Sequence, residues 1–203
     1  MGFYTEHIQP ILIERGMKNK AIRQHRPLVA PQATGRVLEV GFGTGMNLPY
    51  YSANIDHFFG LEPSGKLLDK AEEIIQNTVF PVDIINSGAE DIPLETNSID
   101  TIVTTWTLCS IPPIESALQE MRRVLKPGGR LLFLEHGQAP DEKIARLQRR
   151  MTPAFKILAG CSLDRQISPL ITTAGFRFLE LEETYFDGPK FLSFHYCGQA
   201  TPL

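Results

Sequence analysis

The sequence predicts an open α/β fold, a mostly parallel sheet covered by helices on both faces, and three observations carry that expectation. Short apolar runs at 36–40, 57–61, 82–86, 99–105 and 130–134 alternate with longer stretches whose apolar residues recur at helical spacing. The first run leads straight into Gly41, Gly43 and Gly45, which let the backbone turn sharply where a Cβ would intrude. The second run ends in an acid, Glu62, roughly the 20 residues downstream at which such folds place a ribose-binding carboxylate.

The 203 residues suit one domain spanning 1–203, long enough to bury a core without disulfides or metals. A formal net charge of -3 gives no global reason to expect nucleic acid as a partner. Cys109, Cys161 and Cys197 are widely separated and form no C-x-x-C pair. Neither a disulfide framework nor a metal site is indicated, and a reducing cytoplasm is the expected location. The N-terminal stretch lacks the pattern of a secretory signal, and no run approaches the roughly 18 apolar residues of a membrane span.

Residues 1–30 are expected to form a helical cap, with Phe3, Tyr4, Ile8, Ile11 and Leu12 at helical spacing ahead of Arg15, Lys18, Lys20, Arg23 and Arg26. This segment is either a cover with a solvated basic side, a lid with Tyr4 lining the pocket beneath it, or a surface that meets anionic lipid. Past the glycine turn a short helix is expected over 45–51, with Asn47 on its first turn, where an amide and free N–H groups suit an anion. Pro63 and Ser64 open the next helix, running to Ile75 with Ser64 as its cap. The strand 99–105 ends in Thr104, Thr105, Trp106 and Thr107 at the carboxyl edge of the sheet, where open α/β folds bind ligands. Trp106 is either a core residue or the wall of a site for a cationic group. A helix over 115–126 stops at Pro127-Gly128-Gly129, and the strand after it ends at Glu135-His136. A charged helix over 141–158, interrupted near Thr152-Pro153, a helix over 163–174 and strands over 176–183 and 190–196 complete the chain.

Strand, glycine turn, strand and acid together read as a nucleotide-cofactor site, with Glu62 accepting the two hydroxyls of an adenosine ribose. The glycines are spaced G-x-G-x-G, so Met46 stands where a dinucleotide fingerprint wants its third glycine. This turns the reading from NAD towards S-adenosylmethionine. A reductase is further disfavoured because no tyrosine is followed four places later by lysine.

The segments VLEVGFGTG, GLEPSGKLLDKA, AEDIPLETNSIDTIV and RRVLKPGGRLLFLEHG resemble, as a set, the successive motifs of class I S-adenosylmethionine-dependent methyltransferases. TWTLCSI, Glu135-His136 and GCSLDR are similar to the branch that methylates small thiols. The resemblance implies a seven-stranded Rossmann-like methyltransferase sheet of order 3-2-1-4-5-7-6 with the last strand antiparallel. It implies S-adenosylmethionine as cofactor, with Glu39, Gly41, Gly43, Gly45, Asn47 and Thr105 around its methionine end and Glu62 and Pro63 at the ribose. Where relatives present an aspartate to the adenine this chain has Gly88, which leaves Ala89 or Glu90 to make that contact. The segment 141–164 is the expected substrate-side insertion, and Tyr4, Trp106, Cys109, His136 and Cys161 are the expected acceptor pocket.

Methyl transfer from a sulfonium needs alignment above all, and no metal. A thiol of pKa about 8.5 is already partly thiolate at neutral pH. An amine or phenol needs a base, for which His136 is the candidate, and is otherwise a loop histidine. His195 is either a second candidate or a satisfied structural histidine, and Cys109 and Cys161 read as pocket lining rather than nucleophiles. The expected acceptor is therefore a small, mostly apolar thiol. Phosphatidylethanolamine or another small N-, O- or C-nucleophile is the enzymatic alternative, and a cofactor-binding protein without turnover is the alternative of another class.

Overall fold

The computed structural model describes residues 9–203. Phe3, Tyr4 and Ile8 lie outside them. In order, the chain forms α1 (Gln9–Met17), α2 (Lys20–Arg23), two 3-10 turns (Arg26–Leu28 and Ala30–Gln32), β1 (Gly35–Val40), a 3-10 turn (Leu48–Tyr50) and β2 (Ile55–Leu61). It continues with α3 (Gly65–Leu68), α4 (Glu72–Gln76), β3 (Val82–Ile85), β4 (Ile99–Thr105), α5 (Ile114–Val124) and β5 (Leu125–His136). The last elements are α6 (Glu142–Ala159), α7 (Ile167–Thr173), β6 (Phe176–Tyr185), α8 (Lys190–Ser193) and β7 (Phe194–Pro202). Among these described helices none is long and apolar enough to cross a membrane.

The seven strands form one sheet of order β3-β2-β1-β4-β5-β7-β6. β7 runs antiparallel to both its neighbours, and the other pairs are parallel. The expected topology is the observed one. Its core divides by the pleat: Leu38 and Val40 of β1 join Ile102, Leu131 and Phe133 on one face, whereas Val37 joins Phe58, Val103 and Leu132 on the other. α5 covers the first face with Ala117, Leu118, Met121 and Val124, all buried and recurring at helical spacing.

Several local expectations are corrected. Between Gly45 and Tyr51 there is only the 3-10 turn around Pro49, because Asn47 turns inward and is fully buried. The helix expected from Pro63 to Ile75 is two short pieces, and the Ser64 side chain caps neither; its backbone N–H donates to Glu62 instead (3.0 Å). Pro127-Gly128-Gly129 lies within β5, which starts at Leu125 and bulges against β4: Ile99 pairs with Leu125 but Thr101 already with Arg130. The stretch 190–193 is a helical turn ahead of β7, and the helix expected from 163 starts at Ile167.

Pro153 does not interrupt α6, which runs unbroken from its Asp141 cap to Gly160 in the left-handed conformation (φ 70°). Tertiary bonds from the turn and a half before the proline hold the helix in place. Gln148 accepts from the Ala139 N–H (2.8 Å) and donates to the Gly137 carbonyl (3.0 Å), and the Thr152 hydroxyl lies 2.9 Å from Asp164 and accepts from the Leu163 N–H (3.2 Å). These contacts outweigh the one intrahelical bond a proline removes.

Candidate active site

A cavity of about 690 Å³ opens at the carboxyl edge of β1, β2 and β4, within the range typical of small-ligand sites. Its wall takes Glu39, Gly41 and Gly43 from β1 and its turn, Glu62 and Pro63 from the end of β2, and Ala89 and Glu90 from the loop after β3. Thr105 and Trp106 at the end of β4 close one side, and Ile13 and Met17 of α1 face them. Carboxyl ends of parallel strands separate at this edge, which is why the crevice forms here.

The glycines do different work. Gly41 has φ 76°, and a Cβ there would stand 2.2 Å from Thr107 Oγ1. Gly45 (φ 73°) is pressed against Ile74 and Phe42, inside the core rather than on the cavity wall. A Cβ on Gly43 would meet nothing nearer than the Gly41 carbonyl at 3.9 Å, so its absence leaves open space in the cavity. Gly41→Ala is expected to lower stability by about 1–3 kcal/mol, from the left-handed backbone and the overpacked Thr107. Urea unfolding measures it, and Gly43→Ala, with only the backbone cost, should lose less.

Glu62 is mostly buried, accepting the Gly43 N–H (3.1 Å) on one oxygen and the Ser64 N–H (3.0 Å) on the other. Burial raises its pKa above the usual carboxylate value, against those two bonds. Beneath the glycine turn lies a buried polar chain. Arg26 Nη1 donates to Asn47 Oδ1 (2.6 Å), and Asn47 Nδ2 donates to Glu39 (2.8 Å) and Thr105 Oγ1 (2.9 Å). The Tyr51 hydroxyl donates to the other Glu39 oxygen (2.8 Å). Desolvation pushes Glu39 up to about 7, opposed by Tyr51, Arg26 and Asn47. Asn47 thus braces the wall from behind and does not line it.

Arg26 corrects the reading of a solvated basic run. It is 3% exposed, lines the cavity, and carries its guanidinium 5.2 Å from the centre of the Trp106 ring. Helical spacing from Arg15 onward suggested a solvent face; the chain instead leaves the helix and enters a 3-10 turn at Arg26-Pro27 that swings this side chain inward.

Trp106 has φ 51°, rare for a bulky residue, and is fixed from three sides. Its N–H donates to the Leu134 carbonyl (2.9 Å), its Nε1 donates to His195 Nε2 (2.9 Å), and the next two residues are tied down by Glu135. One Glu135 oxygen accepts the Thr107 and Leu108 N–H groups (2.9 and 3.0 Å). Burial first, then the neighbouring Cys109, pushes that carboxyl up to about 8. Because His195 Nε2 accepts from Trp106, its Nδ1 carries the proton and donates to the Ser193 carbonyl (2.9 Å), so His195 is a satisfied, neutral structural histidine.

His136, Cys109 and Cys161 come together, but not on the cavity wall. The antiparallel register sets His136 opposite His195, and Cys161 Sγ lies 3.9 Å from His136 Nδ1. Burial and His195 push His136 down to about 4, and its Nε2 is buried without a hydrogen-bond partner. The Cys109 thiol points to the Trp106 carbonyl (3.6 Å) and is fully buried. On the other side of the cavity Ala89 is buried, Glu90 is exposed, and the Glu90 carboxylate occupies the space beside Gly88.

This arrangement suits a ligand with a flat group between the post-β3 loop and β2, hydroxyl donors at Glu62, a thin section over Gly43 and a cation near the Trp106 face. A family model described as a methyltransferase domain matches residues 38–133. The thiol S-methyltransferase TMT1B of Rattus norvegicus is 33% identical over 172 residues, which cover 81% of this chain and 69% of that protein. The phosphatidylethanolamine N-methyltransferase of Cereibacter sphaeroides is 29% identical over 152 residues, covering 74% of this chain and 73% of the relative. Among solved structures a SAM-dependent methyltransferase from Methanosarcina mazei superposes with a TM-score of 0.68 at 19% identity, over 85% of this chain and 94% of that one, a likeness of fold. The chain therefore belongs to the class I S-adenosylmethionine-dependent methyltransferases, with S-adenosylmethionine as its cofactor.

Proposed function

We propose that this methyltransferase acts on small, mostly apolar thiols. One observation carries the choice of acceptor: the acceptor end of the cavity, between Ile13 and Met17 on one side and Trp106, Ile111 and Pro112 on the other, presents no free base among the described residues. Glu14, on α1, is engaged by Lys18 and Lys70, Glu39 is held by Asn47 and Tyr51, and His136 is recessed behind Trp106. A thiol needs none, being partly ionised already at neutral pH. Apolar thiols gain about 25 cal/mol for each Å² of apolar surface removed from water, which favours them over charged ones. The similarity to thiol S-methyltransferases supports the same reading.

Bound at this edge, S-adenosylmethionine supplies a methyl on a sulfonium, open to in-line displacement. In this reading Glu62 and Pro63 hold the ribose, Ala89 and Glu90 border the adenine, and Glu39, Gly41, Gly43 and Thr105 surround the methionine end. Gly45 and Asn47 act by shaping and bracing the turn. The chain works as one domain with residues 1–30 as its cap, and 141–164 supports the substrate side by holding α1, where Gln9 Nε2 donates to the carbonyls of Lys156 (3.2 Å) and Ile157 (3.1 Å). His136, Cys109 and Cys161 set the position of Trp106 from behind.

The test is a methyl-transfer screen over alkyl and aryl thiols, glutathione, a phenol, and vesicles containing phosphatidylethanolamine. Apolar thiols should turn over, with the rate following their thiolate fraction, and folded His136→Ala should keep appreciable activity at pH 9. Turnover of phosphatidylethanolamine to a nitrogen-methylated product, with none for any thiol, would replace the acceptor and leave the cofactor assignment standing.

A further inference from the structure

Arg26 presents an energetic problem that the described residues alone do not solve. Its guanidinium is almost wholly buried, yet among the described residues it forms no salt bridge. Of its five N–H groups one is committed to Asn47, another has only the Met46 sulfur at 3.7 Å, and Nε is buried with no partner. Desolvation lowers its pKa, and the nearest relief comes from Glu39, which it reaches only through the Asn47 amide. A buried cation left without an anion is strongly unfavourable, and natural structures resolve this with a partner.

The cavity indicates where that partner comes from. Arg26 lies on its wall, and of the charged side chains there among the described residues it is the single cation, against Glu14, Glu39, Glu62 and Glu90. It also sits over Trp106, opposite the adenine side. The cofactor brings one carboxylate, at its amino-acid end. A planar carboxylate matches the unused edge of a guanidinium as a two-point fork, which a lysine ammonium cannot reproduce.

We propose that Arg26 binds the carboxylate of the cofactor's amino-acid end and thereby sets the enzyme's preference for a carboxylate-bearing cofactor. This rests on the placement of the cofactor in the cavity described above. It also assigns the N-terminal segment a part in the site: the anchor comes from the turn after α2, outside the glycine motif and its downstream acid.

The test is calorimetric titration of wild type, Arg26→Gln and Arg26→Lys with two ligands, S-adenosylhomocysteine and its decarboxylated analogue, which keeps the thioether and the amine. Wild type should bind S-adenosylhomocysteine at least about ten-fold more tightly than the analogue. Arg26→Gln should lose that preference through weaker binding of S-adenosylhomocysteine, with the analogue unaffected, and Arg26→Lys should restore part of it. Equal weakening of both ligands would mean that Arg26 only shapes the pocket, and would overturn the assignment. So would a wild type that binds the two ligands equally, a comparison that holds even if Arg26→Gln does not fold. Wild type binding neither ligand, while other folded-state measurements are normal, would sink the placement of the cofactor itself, and the inference with it.

Discussion

Glu62→Ala should weaken binding of S-adenosylmethionine by roughly ten-fold to over a hundred-fold while the protein stays folded. Hydrogen bonds to a charged acceptor contribute about 1.5–3 kcal/mol each, and a ribose offers two hydroxyls to this carboxylate. The structure makes the substitution more than a lost contact. Glu62 also accepts the Gly43 and Ser64 N–H groups, so the acid fixes the turn that leaves room for the ligand. Gly43 lines the cavity and Ser64 is only half-buried, so water can replace the missing oxygen at both, and the cost to folding should be the smaller of the two. Calorimetry gives the affinity and urea unfolding the stability. Unchanged affinity in a folded variant would remove Glu62 from the site.

Glu135→Ala should act in the opposite proportion, lowering stability by about 2–5 kcal/mol. Thr107 and Leu108 would each lose the acceptor of a buried N–H, at about 1–3 kcal/mol per group. The left-handed Trp106 would lose one of the constraints that hold it there. The wild type should meanwhile show a pH dependence of definite sign. Glu135 and Glu39 bind protons more tightly folded (about 8 and about 7) than at their ordinary 4.5, so stability falls as pH rises from 4.5 to about 8. His136 and His195 are pushed from 6.5 down to about 4, so they favour the folded state increasingly as pH rises over that lower window. The two trends oppose each other below pH 6.5, which leaves a net decline between about pH 6.5 and 8. Glu135→Gln should flatten that decline, and a wild-type stability that rises across it would contradict the picture.

Strand positions, the glycine turn and the acid after β2 were legible because each is a local pattern. Burial of β1 and β4 on both faces needs continuous apolar runs, and the tight turn needs its glycines. The order of the strands came through the resemblance. What stayed illegible depends on partners distant in sequence. Arg26 belongs to a basic run whose spacing suits a solvent face, and only the turn at Pro27 and the amide of Asn47 draw it inside. The bond from Trp106 to His195 depends on the β5–β7 register, which no spacing encodes. Pro153 is a reliable helix breaker in isolation, and the bonds that overrule it come from Asp164, Leu163 and Ala139.

The place of β7 in the sheet bears on how the molecule is made. β6 sits at the edge and pairs with β7 alone, and β7 is also the neighbour that covers the open side of β5. During synthesis β6 therefore emerges before the strand that will hold it, and for that interval two rows of backbone donors and acceptors, with Leu179 and Leu181 beside them, have nothing to pair with. The β5–β7 pairing is the slower of the two to form, because α6, α7 and β6 lie between its strands in sequence. Until residues 194–202 arrive, the nascent chain displays two strand edges that could join another copy as readily as its own remainder, a window in which a chaperone that shields unpaired edges would find its substrate.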